Sequence, residues 1–400
     1  MTRRATLDTV VIGAGVVGAS AALALARDGR RVALVEAHEP APWRAEAPDL
    51  RVYAFAPDNA MRLDALGVWP QVRRARAQPY RHMRVWDAGG GGELVFHADA
   101  LGHECLGWIV ENDLLVDRLW RAIADEPGIE RHCPEQVATL EQDDEALTLT
   151  LQGGARLRAR LAVAADGAAS AMRELAGIEV ARHDYRQRAL VAYVATERPH
   201  AETAWQRFLP TGPLAFLPCT DQALPGAAPL CVSSIVWTQP EAEAERRLAL
   251  DEAGFRSELT RAFDATLGEV VAVSARAAFP LRRQLARDYV AGRLVLAGDA
   301  AHAVHPLAGQ GVNLGLRDVA CLHRIVAAAG ERDIGAAHRL ARYRRERRSE
   351  DSLSAYAFDA INRAFSNDAL LPTLLRGQLL GLAGKLPPLT RLLWRQAAGG

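Results

Sequence analysis

Lysine is all but missing from this chain. Lys385 is the only one in 400 residues, and arginine carries the rest of the positive charge. Neither sign is in excess, because Lys plus Arg and Asp plus Glu each number 48. A neutral chain leaves no electrostatic footprint for nucleic acid or an acidic partner. Cysteines are few: Cys105, Cys133, Cys219, Cys231 and Cys321, odd in number and with no CxxC. That argues against a disulfide framework, a redox-active dithiol and a zinc ribbon, and fits reduced thiols in a cytoplasm-like compartment. No GxSxG nucleophile elbow occurs, no second GxGxxG opens a separate nicotinamide domain, and there is no internal repeat or low-complexity tract. The uncharged run Thr9–Ala26 follows Arg3 and Arg4 much as a secretory signal would. It contains three glycines and runs straight into VALVEA, so it reads as strand, loop, helix and strand, not as a signal or a membrane span.

What remains is a globular composition, 50% hydrophobic and 24% charged, long enough for two or three packed units or one interleaved pair. Asp8–Ile12 is a short apolar strand, Ala19–Asp28 an Ala/Leu-rich helix ended by Gly29, and Arg31–Glu36 the next strand: a βαβ opening. Residues 59–66 read as a helix stopped at Gly67. Gly89–Gly92, between MRVWD and ELVFHA, reads as a hairpin tip. Leu115, Leu119 and Ile123 give Asn112–Ala124 a helical period. A second hairpin turns at Gly153–Gly154 and feeds the strand LAVAAD. Residues 187–237 are strand-like and 241–267 helical, so a mostly β unit interrupts a nucleotide-binding layer.

Three motifs carry the chemistry. Gly13-Ala14-Gly15-Val16-Val17-Gly18 is a GxGxxG with a strand before it and a helix after it. Its glycines allow the turn, the approach of a pyrophosphate and close helix–strand packing. Glu36, eighteen residues after Gly18, stands where a carboxylate takes a ribose hydroxyl. The alternative is a Gly-rich turn in some other α/β fold. Asp166-Gly167-Ala168-Ala169-Ser170 follows a strand and opens a helix. It is either a well-capped helix or a second polar approach to a pyrophosphate, with Arg173 in salt-bridge support. The third is RLVLAGDAAHAVHPLAGQGVNLGLRD at 293–318. Asp299 ends a strand and can accept hydroxyl hydrogen bonds, while Pro306 to Asn313, with Gly309, Gln310, Gly311 and Val312, can aim backbone N–H groups at the edge of a flavin. His302 and His305 form an HxxH in a Pro/Gly loop with no carboxylate or Cys cluster beside it, so no metal site is read.

Taken together and in this order, the motifs resemble the single-component FAD-dependent aromatic hydroxylases. DLRVYA at 49–54, RLDALGVW at 62–69, GWIVEN at 107–112, the 293–318 signature and FSND at 365–368 resemble the ubiquinone-biosynthesis hydroxylases of the UbiH/VisC type over essentially the whole chain. The resemblance implies an α/β fold of the para-hydroxybenzoate hydroxylase type: a Rossmann-like FAD-binding domain (1–75, 100–178 and 285–345), an interleaved mostly β substrate domain (76–99 and 179–284), and a C-terminal helical segment (346–400). It implies tightly bound, non-covalent FAD contacted by Gly13, Gly15, Val17, Gly18, Glu36, Arg51, Asn112, Asp166, Gly167, Asp299 and Gly309 to Asn313. Arg51 and Pro306 stand nearest the chemistry, and NAD(P)H is a transient reductant. The implied reaction uses O2, through a flavin C4a-hydroperoxide, to hydroxylate a polyprenylated phenol, with other ubiquinone-biosynthesis proteins as partners. The implied location is the cytoplasm, peripheral to the inner membrane.

Other readings of the same residues stay open. A hydroxylase of a small free aromatic and a non-catalytic FAD-holding scaffold share these motifs, whereas the WxWxIP of halogenases is absent. Phe208, Leu214, Phe216, Leu217 and Trp237 are either a substrate lining or ordinary core. The basic run at 339–351 interleaves Glu346, Glu350 and Asp351 at helical spacing and reads as a solvated helix face. From Ala369 onward there is no acid, which suits either a docked helix pair or a membrane-surface contact.

Overall fold

The computed structural model describes residues 6–90, 92–303 and 311–365. One layer is an eight-stranded sheet built on five parallel strands: Leu294–Leu296, Arg156–Ala164, Leu7–Ile12, Val32–Val35 and Ile129–His132. Their runs are apolar because both faces are covered; Val32–Val35 is buried at every position. The hairpin Val137–Gln142 and Leu147–Leu151 extends this sheet antiparallel. The helix Val16–Arg27 is hydrophobic on all sides and almost wholly buried, between the sheet and the helices Asn112–Ala124 and Gly311–Ala327.

Register sets the site. Ile12 pairs with both Val35 and Ala164, and Ala164 with Leu296. The residues that follow these strands, Gly13, Glu36, Ala165 and Ala297, therefore emerge side by side at the carboxyl end of a parallel sheet, where such folds bind ligands.

The second layer is a nine-stranded, mostly antiparallel sheet. Its long strand Val180–Thr196 pairs with Ala277–Ala286 and Val232–Pro240, and Gly212–Pro218, Thr203–Leu209 and the hairpin His82–Asp87 with Glu93–His97 continue it. The helical 241–267 stretch is two helices, Glu241–Leu248 and Glu252–Ala262. Glu252–Ala262 packs on one face of this sheet over Leu214, Phe216 and Trp237. The other face, with Phe208 and Leu217, meets a three-stranded sheet of Val52–Phe55, Gly107–Glu111 and Ala77–Tyr80. All five of these aromatic and Leu residues are buried core. Leu285 and Gln284 pair with His302 and Ala303, tying the large sheet to the strand that leads into the Gly-rich loop. The last of the described elements is the helix Ala337–Phe365. No helix among the described residues is long and apolar enough to cross a membrane.

Candidate cofactor-binding and active site

The three glycines of the first motif do different work. Gly13 has φ +90°, and a Cβ there would lie 2.3 Å from the Ala165 carbonyl oxygen; a Cβ on Gly18 would lie 1.9 Å from the Gly13 carbonyl oxygen. Backbone packing requires both. Gly15 has an ordinary φ of −66°, and a Cβ there would meet nothing within 4 Å. The fold does not need glycine at this position. Open space lies over it, at the start of a helix with no capping side chain and no acid in its first turn. Unfilled helix N–H groups beside an open cradle are an anion site. Val17 packs against Gly298 and Gly315 and so joins the first motif to the third. Glu36 accepts hydrogen bonds from Ala14 N–H at 2.6 Å and His38 N–H at 3.2 Å, which holds its carboxylate at the rim of the same loop.

Asp166 accepts hydrogen bonds from Ser170 Oγ at 2.6 Å and from Met172 N–H at 3.1 Å, and Ser170 caps the short helix through Arg173 N–H. Gly167 sits between them with φ +83°. Arg173 departs from the salt-bridge expectation. Its side chain is buried and donates to the carbonyls of Ala300 at 2.9 Å and Ala168 at 3.0 Å, with no carboxylate among the described residues in an ion pair with it. Burial, reinforced by nearby Arg182, pushes its pKa down. A buried cation held by two carbonyls, with Asp166 and Glu174 as the nearby opposite charges, thus straddles the second and third motifs.

Asp299 emerges at the end of the Leu294–Leu296 strand, in the turn Gly298–Ala300. Its side chain is reachable by solvent, yet protein surrounds it closely enough that desolvation pushes its carboxyl above the usual range, against the pull of His302. Across from it, the Tyr53 hydroxyl donates to Asn112 Oδ1 at 3.0 Å; burial and Asp299 together raise the Tyr53 phenol. Asn112 Nδ2 donates to Asp113 at 2.8 Å and Asp49 at 3.4 Å, and Arg51, more than half exposed, pairs with Asp113 at 3.3 Å and Asp49 at 3.5 Å. Asp49 is fixed from two sheets: its N–H donates to buried Glu111 of the three-stranded sheet at 3.0 Å and its carbonyl accepts from Tyr193 Oη of the nine-stranded sheet at 2.7 Å. Glu111 also pairs with Arg76 at 2.9 Å. Close by, a small chamber lined by Val52, Gln78, Tyr193 and Thr220 has room for about one water.

The helix Gly311–Ala327 starts opposite Asp299, whose Oδ1 would lie 4.0 Å from a Cβ on Gly311. Val312 and Asn313 are buried. The Asn313 side chain turns inward to Ala54, Ala56 and Asn59, so what this turn offers a ligand is backbone. Pro306, Gly309, Gln310 and His305 lie outside the described residues.

His302 does have carboxylates beside it, contrary to the reading of the loop as lacking them. Its Nε2 lies 2.7 Å from Asp318 and 3.5 Å from Asp351, all three side chains fully buried. Arg347 bridges the same carboxylates at 2.5 Å each. The basic run is therefore not a wholly solvated face: Arg347 and Asp351 turn into the core. Arg347 holds the Oδ1 atom of each carboxylate and His302 lies beside their Oδ2 atoms, so two basic side chains face two carboxylates. Sequence reasoning missed Asn59, Arg347 and Asp351 as contributors here. Asp318 stood inside the quoted signature, and Arg347–Asp351 has i,i+4 spacing, which were the only signals.

The donor set fits FAD. A bare helix N-terminus with a glycine that packing does not demand suits a pyrophosphate, Glu36 suits a ribose, and no described residue hydrogen-bonds the Asp299 carboxylate, which leaves it free for ribityl hydroxyls.

Comparison with known proteins agrees. The description of an FAD binding domain matches residues 6–352. The chain is 37% identical over 387 residues to the 3-demethoxyubiquinol 3-hydroxylase of Escherichia coli, covering 96% of this chain and 95% of that protein. It is 39% identical over 395 residues to the ubiquinone hydroxylase UbiL of Rhodospirillum rubrum, covering 98% and 89%. The p-nitrophenol 4-monooxygenase of Pseudomonas putida superposes with a TM-score of 0.75 at 20% identity, over 99% of this chain and 98% of that one, a likeness of fold.

Proposed function

The chain belongs to the FAD binding domain family, and from that premise we propose that it is an FAD-dependent monooxygenase of ubiquinone biosynthesis. It uses NAD(P)H and O2 to hydroxylate the aromatic ring of a polyprenylated phenol. The observation that carries this reading is Gly15, a glycine with no structural need for being one, at a bare helix start in a chain 37% identical, end to end, to a ubiquinol-precursor hydroxylase.

When bound, FAD takes a hydride equivalent from the reduced nicotinamide and activates O2 for insertion of one oxygen atom into the ring. The protein's own task is to bind, orient and exclude water. In this reading the N–H groups after Gly15 hold the pyrophosphate, Val17 keeps that helix against the third motif, and Gly18 lets it close on the turn at Gly13. Glu36 takes the adenosine ribose. Asp166 and Gly167 shape the adjoining loop, and Arg173 supplies positive charge behind it. Asp299 and Asn112 receive the ribityl chain. The backbone of Gly311 to Asn313, at a helix N-terminus, favours negative charge building at the ring edge. Arg51, exposed and loosely held between two carboxylates, is the cation available to the visiting nicotinamide. The Glu111–Arg76–Asp49 network keeps the loop before Arg51 in place.

The domain division at 1–75, 100–178 and 285–345 against 76–99 and 179–284 follows from the same reading. The acid-free stretch from Ala369 onward, which lies outside the described residues, is the segment we assign to contact with the lipid phase that holds the substrate. The test is direct. Purified protein should carry about one FAD per chain, and a polyprenylphenol in detergent should stimulate its NAD(P)H oxidation. Bound FAD with no stimulation by any such phenol would leave a scaffold.

A further inference from the structure

Asn59 and Asn313 form a buried amide pair that the reading above leaves without a task. They are 254 residues apart in sequence, and neither side chain is exposed. Asn59 Nδ2 donates to Asn313 Oδ1 at 3.0 Å and to the Asn313 carbonyl at 3.2 Å. Asn313 Oδ1 also accepts from Ala56 N–H at 2.9 Å, and Asn313 Nδ2 donates to the Ala54 carbonyl at 2.8 Å. The pair joins two elements that face each other across the proposed flavin site. One is the Val52–Phe55 strand, which carries Tyr53, follows Arg51 and runs into the helix Pro57–Ala65 on which Asn59 sits. The other is the first turn of the Gly311–Ala327 helix. Asp58, also on the Pro57–Ala65 helix, and Arg317 tie that helix to the Gly311–Ala327 helix at 3.2 Å.

We propose that Asn59 is a positioning residue for the flavin ring: through Asn313 it fixes the separation between the Tyr53 wall and the backbone N–H groups at the helix start. The inference rests on the FAD reading above. Its physical basis is that the Asn313 amide is wholly engaged within the protein, and that Asn59 is the side chain that grips both its Oδ1 and its carbonyl, beside the backbone contacts to Ala54 and Ala56. Removing Asn59 takes one of two donors from Asn313 Oδ1 and the side-chain donor from its carbonyl, which loosens a buried network whose members hold one another in place. Oriented donors lose their effect with displacements of well under an ångström.

The experiment uses the full-length holoprotein in three variants. Asn59→Leu removes both hydrogen-bonding groups at similar volume, and Asn59→Ser leaves room for a bridging water should the Leu variant fold poorly. Leu63→Ala, on the same helix and fully buried, destabilises the element without touching Asn313. FAD affinity is read by fluorescence quenching and the ring environment by the visible flavin absorption bands. The Asn59 variants are expected to bind FAD about tenfold more weakly and to shift the bands. Leu63→Ala should lower the melting temperature while leaving affinity and spectrum at wild-type values. Wild-type affinity and bands in the Asn59 variants, or the same changes in Leu63→Ala, would overturn the proposal. Wild-type protein that purifies without FAD would instead count against the functional reading itself.

Discussion

The His302 imidazole and the Asp318 carboxylate meet at 2.7 Å with neither side chain exposed to solvent. Asp318 accepts Gly298 N–H through the same oxygen, at 2.8 Å, so the contact fastens the turn that presents Asp299 to the helix Gly311–Ala327. Arg347 and Asp351 complete a four-membered ionic cluster at the junction of the two layers and the terminal helix.

That cluster makes stability fall on the alkaline side. Burial opposes a charged His302, but Asp351 and Asp318 more than offset it and hold its pKa up to about 9. An unfolded histidine titrates near ~6.5. The folded group's pKa is raised, so its contribution is complete below about 6.5 and is lost as pH climbs through about 9. The melting temperature should drop between pH 7 and 9.5, and His302→Asn should flatten that drop while lowering stability at pH 7. A variant with the wild-type slope would remove His302 from the account.

Gly15 and Gly18 should separate binding from folding. Gly15→Ala meets no protein atom and suits its φ, so stability should stay within about 1 kcal/mol of wild type, with FAD affinity reduced tenfold or more. Gly18→Ala collides with the Gly13 carbonyl and should unfold the motif itself. Calorimetry on the apoprotein alongside FAD titration distinguishes the two; equal FAD affinity in Gly15→Ala would mean the open space there is not a phosphate cradle.

Among the described residues Arg173 makes no ion pair within 4 Å, and its guanidinium is held by carbonyls, so we expect its charge to act on a nearby anion. Arg173→Met removes two hydrogen bonds from a charged donor, each worth about 1.5 kcal/mol, and should cost roughly 3 kcal/mol of stability together with FAD affinity. Arg173→Lys, which keeps the charge but not the fork, should recover affinity better than stability. Recovery of neither would make Arg173 a strut with no electrostatic part.

The legible parts of this chain were those set by local pattern. The Asn112–Ala124 helix follows its Leu spacing residue for residue, and the hairpins turn at their glycines. The motifs sit at strand ends because a βαβ unit leaves them nowhere else. What escaped depends on partners distant in sequence. Arg347 and Asp351 read as solvated because their own helix is mostly charged; their burial comes from Asp318 and His302 on other elements. Asn59 is an unremarked polar residue until Asn313 arrives from 254 positions away. Arg173 looked like half of a salt bridge because nothing in a sequence says that carbonyls of two loops will converge on it.

The central claim is insertion of an oxygen atom from O2 into a prenylated ring. Purified holoprotein, NAD(P)H and a polyprenylphenol should be incubated under isotopically labelled dioxygen and the organic extract analysed by mass spectrometry. The expected product is heavier by one labelled oxygen, forms only with the reductant present, and carries the label in the ring fragment. Steady NAD(P)H oxidation that yields hydrogen peroxide and no oxygenated product from any polyprenylphenol would contradict it.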